Sequence, residues 1–299
     1  MILGCGNFGG IGSAPAFFGQ GETLEQALEL MDAAWAAGID WFDTADAYGG
    51  GRSESWIGEW IQATGNRPRI TTKTFNPMDA GQDHGLAPDR VRRQLHSSLE
   101  RLGVDSVDLY LAHDPDPETP VDETIATFRE LVDAGLVGAW GLSNCGGAEL
   151  AAALPAGRPA ALQNSFSLLD RGDERDVLPL CAEHEIAFQA FSPLAGGWLT
   201  GKYRRDAPMP AGSRMTLRPE PYLRYDSEPV YEALDGLSAA AEQRGIEPAV
   251  LALAWLLAHP GVESIVVGPR RPEHLEPVRE ALALTLTPQE RDEVGSVFP

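Results

Sequence analysis

A single (β/α)8 barrel is the fold class that this sequence predicts, on three observations. Short apolar or β-branched runs alternate with stretches of helical periodicity along the chain, and about eight such runs can be counted. No shift in composition marks a second domain, so residues 1–299 are expected to form one unit. The polar residues with chemical potential fall where the runs end, which in parallel α/β folds is where chemistry gathers. A doubly wound sheet with a separate substrate domain is the structural alternative.

Residues 1–4 form a short first strand leading into GCGNFG at 4–9. That run fits G-x-G-x-x-G, but a dinucleotide fingerprint needs a full strand before it and a helix opening from its third glycine. A loop follows instead, so the motif is set aside. Thr23 and Gln26 make a capping box, and Leu24, Ala27, Leu28, Met31 and Trp35 keep helical spacing to Gly38. A strand is predicted over 39–42 and a helix over 53–62. The β-branched run 69–74 is the next strand, followed by a loop over 75–86 and a helix from Pro88 to Leu102. Strands over 107–111 and 137–141 bracket a helix over 120–134. An alanine-rich helix leads to a strand over 161–163, then a helix over 173–185 and a strand over 186–191. Residues 201–229 are proline-rich, charged and weakly periodic, which predicts a long functional loop. Helices over 230–244 and 248–258, the strand 264–267 and a helix over 272–283 complete the pattern.

The formal net charge of −21 argues against nucleic acid or an anionic membrane surface as partner. No apolar stretch is long enough to span a bilayer and no secretory leader opens the chain, so a cytoplasmic location is the default expectation. Cys5, Cys145 and Cys181 are scattered, and the six histidines show no metal-ligand spacing, so neither disulfides nor a metal site is expected. Only two of the 23 basic residues are lysine, Lys73 and Lys202. Lysine is the basic residue whose pKa moves readily with its surroundings, which singles out both positions.

The strand exits present Asp43, Tyr48, Lys73, His113, Ser143 with Asn144, Gln163, Phe191 with Ser192, and Gly268. A tyrosine with a pKa near ~10 is a poor acid until its phenolate is stabilised. Lys73 would do so by charge, Asp43 would hold that ammonium, and an imidazole could orient a carbonyl oxygen. Beside a reduced nicotinamide, such a set would protonate an alkoxide as hydride reaches carbon, without metal.

The runs DTADAYG at 43–49, TTKT at 71–74, DLYLAH at 108–113 and GLSN at 141–144 resemble the successive signatures of the aldo-keto reductases. So do QNSF at 163–166, FSPLAGGWLTGKY at 191–203 and SIVVG at 264–268. The resemblance spans nearly the whole chain and is nearest to the branch holding the potassium-channel β subunits and many bacterial reductases. It implies a barrel that binds NADP(H) at the strand C-termini and reduces an aldehyde or ketone. By motif it implies Tyr48 as general acid, with Lys73 and Asp43 lowering its pKa and His113 positioning the carbonyl. Ser143, Asn144 and Gln163 would hold the carboxamide and Phe191 would stack on the ring. Ser192, Pro193, Leu194 and Gly196 resemble the pyrophosphate loop, with Lys202 and Arg214 on phosphate. Gly268 and Arg270 resemble the adenosine-phosphate end, Arg270 for the 2′-phosphate, and Asn7 lies where the first strand meets cofactor or substrate. Phe8, Phe75 and Trp198 are candidates for apolar pocket walls.

The run from Gly196 to Lys202 also fits the front of a P-loop, but Tyr203 follows where a magnesium-binding hydroxyl is required, so nucleotide hydrolysis is rejected. Relative to the family pattern, the residues that usually precede the first strand are missing, and His274 with Pro277 and Val278 stand where adenine contacts are expected. Two other readings stay open: a cofactor-binding regulatory subunit with little turnover, and an NAD(P)-dependent sugar or polyol dehydrogenase. The expected partner is a small carbonyl or alcohol, and the expected assembly a monomer or weak homo-oligomer.

Overall fold

The computed structural model describes residues 1–81 and 83–298; Gln82 and Pro299 lie outside it. Eight parallel strands close into a barrel in chain order: β1 (Ile2–Gly4), β2 (Trp41–Asp43), β3 (Arg69–Thr74), β4 (Val107–Ala112), β5 (Val137–Ser143), β6 (Ala161–Ser165), β7 (Ala187–Phe191) and β8 (Ser264–Val267). The register is set by pairs such as Gly4 with Asp43, Asp43 with Thr71, and Ser143 with Gln163. These pairings bring the polar strand ends to one rim.

Helices fill the outside: α1 (Leu24–Ala36), α2 (Arg52–Thr64), α3 (Pro88–Leu102), α4 (Val121–Asp133), α5 (Gly147–Ala153) and α6 (Val177–Glu183) each follow one strand. Between β7 and β8 lie α7 (Arg214–Leu217), α8 (Glu228–Glu242) and α9 (Pro248–Leu257); α10 (Glu276–Ala283) and α11 (Pro288–Gly295) come last. The Thr23–Gln26 capping box opens α1 as expected, and Gly38, at φ 81°, turns the chain out of that helix toward β2. α9 is buried at every position from Ala249 to Leu256, which accounts for a helix apolar on all sides.

The barrel interior is closed below by Trp41, Leu109, Leu111, Ala139, Ala161 and Ala187, small residues on three adjacent strands facing large ones. Above them the interior turns polar, with Asp43, Lys73, Gln163 and Gln189 all buried. The larger apolar core lies between barrel and helices and includes Phe42, Tyr110, Phe188 and Trp255.

Some boundaries differ from the sequence-based expectation. Ile39 belongs to the turn that closes α1, its N–H bonded to the Ala34 carbonyl, so β2 starts at Trp41. The helix expected over 173–185 is cut to α6 because Gly172–Glu174 forms a separate 3-10 turn. Residues 201–229 are not all loop: they hold α7 and a 3-10 turn at Glu220–Tyr225. Helix α11, opened by a capping box of Thr287 and Glu290, was not anticipated.

Candidate active site

Parallel alternation sends Thr71 and Lys73 of β3 into the barrel and Thr72 and Thr74 outward. The buried Lys73 ammonium donates to Asp43 Oδ1 at 2.5 Å, to the Thr44 carbonyl at 2.9 Å and to Tyr48 Oη at 3.5 Å. Burial alone would lower its pKa, but Asp43 and Tyr48 hold it above the ordinary lysine value. The second Asp43 oxygen accepts from Gln163 Nε2 at 2.7 Å, and the same amide also reaches Gln189 Oε1 at 3.1 Å. Asp43 is therefore fixed from both sides before any ligand arrives.

Tyr48 stands at the start of a 3-10 turn, and Gly49 behind it is at φ 60° with no room for a side chain: a Cβ there would sit 2.5 Å from the Phe8 carbonyl. That close approach seats the phenol against the β1 loop. Tyr48 Oη lies 3.5 Å from Lys73 Nζ and 3.5 Å from His113 Nε2, the two rings meeting edge to face. Burial pushes the phenol above its ordinary pKa; Lys73 pulls it down and Asp43 opposes that pull. The Lys73 charge lowers the phenol as the sequence leads one to expect, but the Asp43 charge acts in the other direction and burial outweighs Lys73. Burial, then Lys73, holds His113 well below the usual histidine range, so its ring is neutral at pH 7. Its Nδ1 is buried and, among the described residues, without a partner, and Asn144 Nδ2 donates to its backbone carbonyl at 2.9 Å.

These groups floor a cleft of about 800 Å³, within the range of cofactor and substrate sites. Asn7, Ser143, Asn144, Gln163, Phe191, Ser192, Pro193, Leu194, Gly196, Lys202, Arg214, Gly268, Arg270 and His274 all line it. Toward the β8 end its walls are cationic in a chain of net charge −21. Partial burial, then Arg214 and Arg270, lowers the Lys202 ammonium, and the end of that side chain folds against Gly197. Burial, and to a smaller degree Arg270, lowers Arg214, whose Nη2 donates to Asn7 Oδ1 while Nη1 is buried without a partner, as is Ser213 Oγ. Crowded cations with unspent buried donors fit a ligand carrying phosphates. Arg270 is less free than its sequence position implies: Nε donates to Glu22 Oε1 at 2.7 Å and Nη1 to the Gly212 carbonyl.

Phe8, Phe75 and Trp198, expected as pocket walls, do not line the cleft. Phe8 and Trp198 are core residues, the latter packed among Tyr203, Tyr225 and Tyr231, and Phe75 packs on the core edge beside His84. Asn76, Pro77, Asp114, Arg218 and Tyr222 line it instead. No motif points to them, because each is placed by a loop whose path depends on packing. Among the described residues no cluster of His, Cys, Asp and Glu could hold a metal, and no helix is long and apolar enough to cross a membrane.

The model of the aldo/keto reductase family matches residues 1–298. The aldo-keto reductase str7 of Strobilurus tenacellus is 35% identical over 298 residues, spanning 96% of this chain and 86% of that protein. The NADP(+) aldo-keto reductase yakc of Schizosaccharomyces pombe is 32% identical over 291 residues, 94% of this chain and 84% of its own length. Among solved structures, the glycerol dehydrogenase AKR11B4 from Gluconobacter oxydans superposes with a TM-score of 0.84 at 27% identity, covering 99% of this chain and 90% of that one.

Proposed function

The chain belongs to the aldo/keto reductase family, and from that premise we propose that it reduces an aldehyde or ketone to the alcohol with NADP(H), Tyr48 serving as general acid. The observation that carries this reading is the Tyr48 hydroxyl set 3.5 Å from both the Lys73 ammonium and a neutral His113 at the cleft floor. When bound, the nicotinamide supplies hydride to the carbonyl carbon. The protein handles the oxygen. With His113 Nε2 and the Tyr48 hydroxyl 3.5 Å apart at the cleft floor, a carbonyl oxygen placed against both would accept from both. As negative charge grows there, Tyr48 gives up its proton, and Lys73, anchored on Asp43, stabilises the phenolate that is left.

For the cofactor, Asn144 and Ser143 would hold the carboxamide and Phe191 would stack on the ring, while Lys202, Arg214 and the Ser192–Gly196 turn, with Ser192 at φ 53°, would hold the phosphates; all of them line the cleft. The choice of NADP(H) over NAD(H) is supported by the cations Lys202, Arg214 and Arg270 near one another on the cleft wall and by the relative named as NADP(+)-dependent. Gln163 acts chiefly as the clamp on Asp43.

Tyr48→Phe tests the reading directly. Carbonyl reduction should fall by about 10² to 10⁴-fold while NADPH fluorescence titrates as in the wild type. Normal turnover by that variant would remove Tyr48 from its role. The raised phenol adds a pH signature. Reduction needs the protonated form and should stay level through neutral pH, falling only in alkali, whereas alcohol oxidation should climb with pH over the alkaline range.

A further inference from the structure

We propose that the carbonyl substrate carries an anionic group, a carboxylate or a phosphate, and that Arg218 is its counter-ion; this rests on the carbonyl-reductase reading of Tyr48. The Arg218 guanidinium is held in place without being neutralised. Nη1 donates to the Ile11 carbonyl at 2.8 Å, and the plane lies over Phe17 with its carbon 5.1 Å from the ring centroid. No acidic side chain pairs with it among the described residues. A guanidinium has five N–H donors, and the one bond to Ile11 leaves the rest for a planar anion.

Its position is fixed relative to the reacting phenol by four contacts. Nη1 lies 2.8 Å from where a Cβ on Gly12 would stand, and the Gly12 N–H donates to the Gly6 carbonyl at 2.7 Å. Gly6 in turn faces the Tyr48 ring, a Cβ there meeting Cε2 and Cζ at 3.5 Å. The Gly12 carbonyl also accepts from Gly49, the residue after Tyr48. Arg218 therefore belongs to the Tyr48 end of the cleft. It lines a second cavity of about 520 Å³ together with Tyr48, Phe191 and Tyr222, which neither Lys202 nor Arg270 reaches.

Of the other cations of that cavity, Arg224 is paired with Asp170, and Arg214, whose Nη2 holds Asn7, is the residue assigned above to the cofactor phosphates. On the β4 side stands Asp114, half-buried beside His113, bonded among the described residues only to Asn76 Nδ2 at 3.4 Å and pushed up in pKa by burial. A negative substituent is repelled from that wall and drawn to Arg218, which orients the substrate across the phenol.

The test uses matched pairs: 4-carboxybenzaldehyde against its methyl ester, and glyceraldehyde 3-phosphate against glyceraldehyde. In the wild type, kcat/KM should favour the charged member of at least one pair by about tenfold or more, and which pair does so tells carboxylate from phosphate. Arg218→Gln should bring that ratio toward about one, and Arg218→Lys should keep part of it. Any general effect of losing the Ile11 contact touches both members and cancels in the ratio. A wild-type ratio near one in both pairs, a ratio indifferent to Arg218→Gln, or a weakened NADPH affinity that accounts for the change would overturn the proposal. Benzoate titrated into the NADPH complex, followed by tryptophan fluorescence, reads the same subsite without chemistry. If no aldehyde turns over, the reductase reading falls, and loss of benzoate binding in Arg218→Gln still upholds the anion site; equal binding by both proteins sinks it.

Discussion

The two faces of β3 carry buried charge in two different ways. Inward, Lys73 joins Asp43, Tyr48 and His113 in a group whose outer contacts are long, 3.5 Å on each side of the phenol, and His113 Nδ1 has no partner among the described residues. Outward, Thr72 donates to Glu54 at 2.5 Å, and Glu54 is paired with Arg101 at 2.7 Å. Thr74 donates to Asp46 at 2.7 Å and accepts from Arg90, whose guanidinium also reaches the carbonyls of Asn76, Asp83 and Gly85 at 2.9 to 3.1 Å. The outer network is short and many-membered; it rivets Asn76, Asp83 and Gly85, beyond the end of β3, to the barrel. The inner one is tight only at its base, where Asp43 grips Lys73, and slack at its tip. Rigidity behind and slack in front is what a site needs when its last contacts are to be made by a ligand.

Lys73→Met should separate the faces most sharply. It removes the one charge that lowers the Tyr48 pKa and leaves Asp43 buried without its cation. Turnover should drop by about 10² to 10³-fold and stability by about 3–5 kcal/mol, read from steady-state rates and a urea melt. Arg90→Met strikes only the outer face. A comparable loss of stability is expected, about 3 kcal/mol, with hydrogen exchange rising over 75–86, but turnover should fall by no more than about tenfold. Equal losses of turnover from the two variants would abolish the distinction.

The narrowest effect, confined to stability and to one pH range, concerns Asp46, which burial and the neighbouring Glu54 push up to about 7 from an ordinary 3.8. A carboxyl whose folded pKa lies above its unfolded one lends stability that is complete below the unfolded value and is lost as pH rises through the folded one. Wild-type protein should therefore lose melting temperature between about pH 4 and 7 relative to Asp46→Asn, which lacks this titration. Parallel curves for the two proteins would place the Asp46 proton elsewhere.

Much of this was legible in the order of residues. The inner group declared itself because Asp43, Tyr48, Lys73 and His113 each follow a strand-like run, and barrel closure makes successive strand ends neighbours. The outer network was hidden, since Thr72, Thr74 and Glu54 look like ordinary strand and helix residues until alternation and helix packing bring them together. Pocket walls were the poorest inference. Phe8 and Trp198 are large and apolar near motif residues, yet such side chains are drawn to the core, while the cleft is edged by Asn76, Asp114 and Arg218 from loops no periodicity describes.

One oddity of composition acquires a practical meaning from the fold. Of the two lysines, Lys73 is sealed beneath the cleft and Lys202 stands on its wall with a lowered pKa, so it is the more nucleophilic amine at neutral pH. Apart from the amino terminus, acylating reagents have nowhere else on the native surface to go. Dye labelling or coupling to an amine-reactive support would block the cleft itself at its cationic wall, and under the proposed cofactor assignment NADPH would shield Lys202.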